Sequence, residues 1–125
     1  MTRWLWVWGP AIAQMAVIFV LSSLSGVPAL PGGLTDYTGH FIGYALLGAL
    51  ALRGFAQARW AGVNWPAARR AFALAVIYGV TDEFHQMFVD MRTASLADWL
   101  ADAIGAAAGV ALVVWFTRLR TRQRT

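Results

Sequence analysis

Apolar residues run along the chain in four long stretches separated by short polar or Gly/Pro-rich breaks. The first, residues 4–24, reads WLWVWGPAIAQMAVIFVLSSL, with Gln14 its only strongly polar side chain. At ~1.5 Å per residue such a helix covers the ~30 Å core of a bilayer. The break that follows, SGVPALPGGLT, is rich in Gly and Pro and carries no charge, as a loop would. A second, shorter stretch occupies residues 36–52. A third covers 66–89, with Pro66 suited to a first helical turn, and a fourth covers 96–116. Secretory apolar regions run to ~7–15 residues, so the first stretch reads as a retained span rather than a cleaved signal. The pattern predicts an all-α, polytopic membrane protein, a four-transmembrane-helix bundle forming one domain over residues 1–125.

Composition agrees. Hydrophobic residues make up 59% of the 125 and charged residues 13%, against ~25% charged in an ordinary soluble domain. A soluble bundle with one buried helix would show one long apolar run, not several. The chain has no cysteine, which excludes disulfides and thiolate chemistry.

All ten basic residues are arginine, and they flank the apolar stretches. That placement is a topology signal, not a nucleic-acid surface, despite a pI near 10.7. Arg3, Arg53, Arg59, Arg69, Arg70, Arg118, Arg120, Arg122 and Arg124 fall on one side and Arg92 alone on the other. The arginine-rich side is predicted to be cytoplasmic, which puts both termini inside a multi-pass protein of the cytoplasmic membrane. Trp4, Trp6, Trp8, Trp60, Trp65 and Trp115 cluster near the inner boundary as an interfacial belt. The loop over 53–70 is expected along the inner surface. The tail RLRTRQRT reads as an anchor to anionic lipid, so membrane lipids are expected partners.

In that topology all six acidic residues, Asp36, Asp82, Glu83, Asp90, Asp98 and Asp102, occupy the outer half, with His40 and His85. Counting back from residue 89, Asp82 and Glu83 lie ~9–11 Å inside the outer end of the third span. Asp36, His40 and Tyr44 form one stripe at i, i+4, i+8. Asp98, Asp102, Gly105 and Gly109 form another, whose GAAAG face lets a neighbouring helix approach closely. Some of these positions have structural explanations. Ser95 with Asp98 matches a capping box, and Asp36 suits a helix N-terminus. Asp90 reads as a solvated end residue, and Tyr44 as packing. Asp82, Glu83 and Asp102 are not capping residues, and each costs ~2.5–3.5 kcal/mol to insert. Shared protons, a cation or a cationic ligand must balance so many carboxylates. Glu83, beside Asp82, is the natural proton holder.

The segments DYTGHFIGYALLG (36–48) and YGVTDEFHQMFVDMRTASLADWLADAIGAAAG (78–109) resemble the VanZ-like family of small bacterial membrane proteins. The resembled pattern is D-K-x-x-H-F-x-x-Y-x-x-L-G, then Y-G-x-x-D-E-x-x-Q-x-F-x-x-x-R-x-x-x-x-x-D-x-x-A-N-x-x-G. Carried over, its positions fall on Asp36, His40, Tyr44, Asp82, Glu83, Gln86, Arg92 and Asp98, with Asp82 and Arg92 as expected partners. Tyr37 replaces the pattern's lysine and Asp102 its asparagine, so no charge from that lysine is available here. The resemblance implies a bacterial cell-envelope role and a link to teicoplanin-type glycopeptide antibiotic resistance.

Three functions follow. The first is an outward-facing pocket for an envelope lipid or cell-wall-related ligand, formed by Asp36, His40, Tyr44, Asp82, Glu83, Gln86, Arg92, Asp98 and Asp102. The second is an enzyme on a lipid-linked substrate, with Glu83 and His40 in acid–base roles and Asp82 orienting one of them. The third is proton- or cation-coupled transport, which four short spans could perform only as a homo-oligomer. Whether the chain is an enzyme stays open. Neither a cofactor nor a metal is expected, since no histidine spacing of metal-ligand type occurs.

Overall fold

The computed structural model describes residues 2–25 and 36–123. Most of the expected Gly/Pro loop, over 26–35, and Arg124 of the basic tail lie outside the described residues. The fold is all-α: α1 spans Thr2–Ser22, α2 Asp36–Phe55, α3 Trp65–Gln86 and α4 Leu96–Arg122. Among the described residues there is no strand.

Pro10 sits inside α1 and lacks the N–H that would serve the Trp6 carbonyl four residues back. Arg53 supplies the missing donor. Its Nη1 reaches Trp6 O at 2.6 Å and Val7 O at 2.9 Å, and its guanidinium lies 4.9 Å from the Trp6 ring centroid. The α2–α3 connection carries one short 3-10 turn, Trp60–Gly62. Trp60 packs against Phe116 at 5.7 Å, with Arg120 over its ring at 5.1 Å. This loop is therefore tied to the C-terminal end of α4.

Asn64 caps α3 by accepting the Ala67 N–H at 2.9 Å. The helix stops at Gln86, three residues before the expected 89. Beyond it the chain tightens into i→i+3 bonds, Phe88 N–H to His85 O and Val89 N–H to Gln86 O, and Met91 turns left-handed at φ 62°. Asp82 and Glu83 thus lie in the last turn of α3, about 4–6 Å from its end, not ~9–11 Å below it. α4 extends six residues past the expected 116, since Arg120 and Arg122 complement the dipole of its last turn.

The closest packing joins α2 and α4, which run parallel. Gly105 faces the Phe41 carbonyl, Gly109 faces the Ala45 carbonyl, and a Cβ on Gly48 would sit 2.6 Å from Ala106 O. The GAAAG face does admit a neighbouring backbone, as the small-residue spacing predicts. α1 and α3 run the other way, with Tyr78 Oη donating to Met15 O at 2.7 Å. Ile18, Tyr44, Leu47, Ala75 and Ala106 form the core near one end. Ala51, Leu52, Ala67, Ala68, Ala71 and Val110 form it near the other.

The exterior is oily. On α3, Ile77, Val80 and Phe84 are exposed while Asp82, Glu83 and Gln86 are buried. α1 and α4 are long and apolar enough to cross a membrane; α2 and α3, at 20 and 22 residues, have the length but carry more polar residues.

Candidate functional site

Helical spacing puts Asp36, His40 and Tyr44 on one face of α2, and burial deepens along that stripe. The Asp36 side chain is 53% exposed, that of His40 10%, and Tyr44 as a whole 1%. His40 stands at a junction. Its Nδ1 lies 2.7 Å from Asp102 Oδ1 on α4 and its Nε2 3.9 Å from Asp36 Oδ2. Asp98, buried at the start of α4, offers an oxygen within 4.8 Å of Asp36 and His40.

The start of α4 explains why Asp98 turns inward. Ser95 Oγ accepts the Asp98 N–H at 3.3 Å, which is half of the expected capping box. The reciprocal half is not made by Asp98. Glu83 reaches across from α3, and its Oε2 accepts the Ser95 N–H at 2.8 Å. Asp98 is thereby released from capping its own helix.

Asp82, Glu83, Asp102 and His40 converge, each with one ligand-type atom within 4.8 Å of the others. Asp82 accepts a hydrogen bond from Ser22 Oγ, and Gln86 Nε2 donates to the same hydroxyl at 3.1 Å. Three buried oxygens lack a hydrogen-bond partner among the described residues: Tyr44 Oη, Glu83 Oε1 and Asp102 Oδ2. Tyr44 Oη approaches Asp82 but closes no well-formed bond to it. No arginine forms an ion pair with these carboxylates among the described residues.

All nine expected ligand residues therefore lie at one end of the bundle, and eight of them gather in the cluster. Arg92 is the exception, and the expected Asp82–Arg92 pair is not formed. The Arg92 guanidinium donates to Leu21 O at 3.2 Å and Leu24 O at 3.1 Å, main-chain carbonyls in and just past the last turn of α1. The expected orienting role also moves: Asp102, not Asp82, holds His40. His85 faces α1, stacked on Phe19 at 4.7 Å with Ser23 Oγ 2.9 Å from its Nε2. Ser22 is the member that sequence reasoning missed. Its only signal was a pair of serines closing an otherwise apolar helix.

Chemically, the cluster is rich in acceptors and poor in cations. It can hold a cation, accept hydrogen bonds from a donor-rich group, or move a proton through the His40–Asp102 pair. Comparison with curated proteins and with solved structures gives no match. The family model described as VanZ/LLP1 matches residues 37–117, which hold α2 from its second residue, all of α3 and α4 through Thr117. The matched region contains every residue of the convergent cluster except Asp36 and Ser22, and the chain belongs to the VanZ/LLP1 family.

Proposed function

We propose that the protein crosses the bacterial cytoplasmic membrane four times, with both termini inside, and binds the polar group of an envelope lipid or lipid-linked cell-wall component from the outer side. The observation that carries this reading is the inverted distribution of polarity on α2 and α3. His40, Asp82 and Glu83 turn into the bundle, while Ile42, Leu46, Ile77, Val80 and Phe84 face outward. A soluble helix would be arranged the other way. Asp36, exposed above His40 and Asp98, marks the mouth. Carboxylates there suit an amine or hydroxyl group on the ligand. A role in teicoplanin-type resistance would follow if that ligand belongs to cell-wall assembly.

The test is native mass spectrometry of the detergent-purified protein, with thermal shifts measured against envelope lipids. A retained lipid that is lost on Asp36→Asn and His40→Ala substitution supports binding. Failure to retain any lipid, together with no thermal shift from any envelope lipid, argues against it.

The 2.7 Å His40–Asp102 pair favours a second reading, acid–base catalysis on a lipid-linked substrate. A carboxylate that orients an imidazole is a common arrangement for a general base. Full cellular function in a Glu83→Gln, His40→Gln double variant would eliminate catalysis.

A further inference from the structure

Asp82, Glu83 and Asp102 bring three carboxylates into mutual contact distance, with His40 as the only nitrogen ligand. All three carboxylates are buried, Asp102 completely. Full ionisation of such a group without a counter-charge is strongly unfavourable.

The protein itself serves only part of these carboxylates. Each carboxylate has one oxygen already engaged: Asp102 Oδ1 with His40, Glu83 Oε2 with Ser95 N–H, and Asp82 Oδ1 with Ser22. The free oxygens of Glu83 and Asp102 have no hydrogen-bond partner. Both are thus buried acceptors that no donor among the described residues serves. A cation, by contrast, satisfies both oxygens at once and neutralises the charge. The Ser95 and Ser22 contacts also hold Glu83 and Asp82 in place, as supporting hydrogen bonds do around metal ligands, while the His40–Asp102 contact joins two of the ligands themselves.

We infer that His40, Asp82, Glu83 and Asp102 form a binding site for one divalent transition-metal ion. One imidazole with three carboxylates and no sulfur suits Zn2+ or Mn2+. A tetrahedron with arms of ~2.1 Å has edges of about 3.4 Å, so ligand atoms within 4.8 Å need only modest side-chain shifts. Asp102 completes the set, standing where the resembled pattern carries asparagine. No sequence spacing reveals this site, because its ligands come from three helices. The ion occupies the deep end of the cluster, below the Asp36 mouth, and its presence does not depend on a lipid ligand.

The experiment uses the full chain, purified in detergent with a tag free of histidine, stripped with chelator and reloaded with Mn2+ or Zn2+. No lipid is added, so the outcome is separate from that of envelope-ligand binding. Elemental analysis is expected to find about one ion per chain. The double variant Glu83→Gln, Asp102→Asn is expected to reduce affinity by at least about tenfold, while Asp90→Asn leaves it unchanged. Mn2+-loaded wild-type protein should show nitrogen coupling from one imidazole by pulsed EPR, a readout that needs no variant. Absence of a bound ion after reloading, undiminished affinity in the folded double variant, or an Mn2+ spectrum without nitrogen coupling would each overturn the assignment.

Discussion

Glu83 on α3 caps a helix to which it does not belong: its Oε2 accepts the N–H of Ser95, the N-cap residue of α4. One carboxylate thus serves both a helix terminus and the polar cluster. Glu83→Gln keeps an acceptor for Ser95, whereas Glu83→Ala leaves that N–H without its partner. In metal-free protein, Glu83→Ala is expected to lose about 1–3 kcal/mol relative to Glu83→Gln. Thermal unfolding in detergent checks the order of the two.

Gly48 and Gly9 should respond in opposite ways to alanine. At Gly48 a Cβ meets Ala106 O at 2.6 Å, backbone against backbone, while at Gly9 nothing lies within 4 Å. Gly48→Ala is expected to cost about 1–3 kcal/mol by forcing α2 from α4. Gly9→Ala, in the interior of α1, is expected to be neutral or to stabilise by up to about 1 kcal/mol. The same unfolding measurement on both variants decides it.

Arg53 compensates for Pro10, so their substitutions should not add. Arg53→Ala leaves the Trp6 carbonyl without a donor and is expected to destabilise by about 1–3 kcal/mol. Pro10→Ala restores the i→i−4 donor and should recover part of that loss in the double variant. A coupling of about 0.5 kcal/mol or more in the double-mutant cycle is the expected result. Simple additivity would show that the two residues act separately.

The proposed topology is testable because the chain has no native cysteine. Asp90→Cys, in the α3–α4 connection, should react with a membrane-impermeant maleimide on intact cells. Arg59→Cys, in the α2–α3 connection, should react only after permeabilisation. Labelling of both, or of Arg59→Cys alone, in intact cells would refute two cytoplasmic termini.

Much of the cluster was legible because helical periodicity does the sorting. The Asp36–His40–Tyr44 stripe and the Asp98–Asp102–Gly105–Gly109 stripe follow from residue spacing alone, and each lands on an inward face. The partnerships were not legible. Arg92 was expected to seek a carboxylate, yet it bonds to main-chain carbonyls, which no sequence writes down. Ser22 looked like the polar end of an apolar helix, since serine satisfies itself locally in many such places. The end of α3 was misplaced by three residues because Met87, Phe88 and Val89 continue the apolar run while the backbone has already turned. The Glu83–Ser95 bond depends on that early turn, so both were missed together.

Tyr78, Arg53 and Arg92 all hold α1 by its peptide carbonyls, at Met15, Trp6, Val7, Leu21 and Leu24. A backbone oxygen is the same whatever side chain follows it. Much of the grip on the first helix is therefore indifferent to its spelling, the side-chain holds being Ser22, Gln14, which bonds to Gly43 O, and the rings of Trp6, Trp8 and Phe19. Its exposed apolar positions, such as Ile12, Val17 and Val20, could be rewritten in other apolar residues and still leave it docked in the same register. That accounts for a helix which carries no motif and falls outside the matched region, yet closes one side of the cluster.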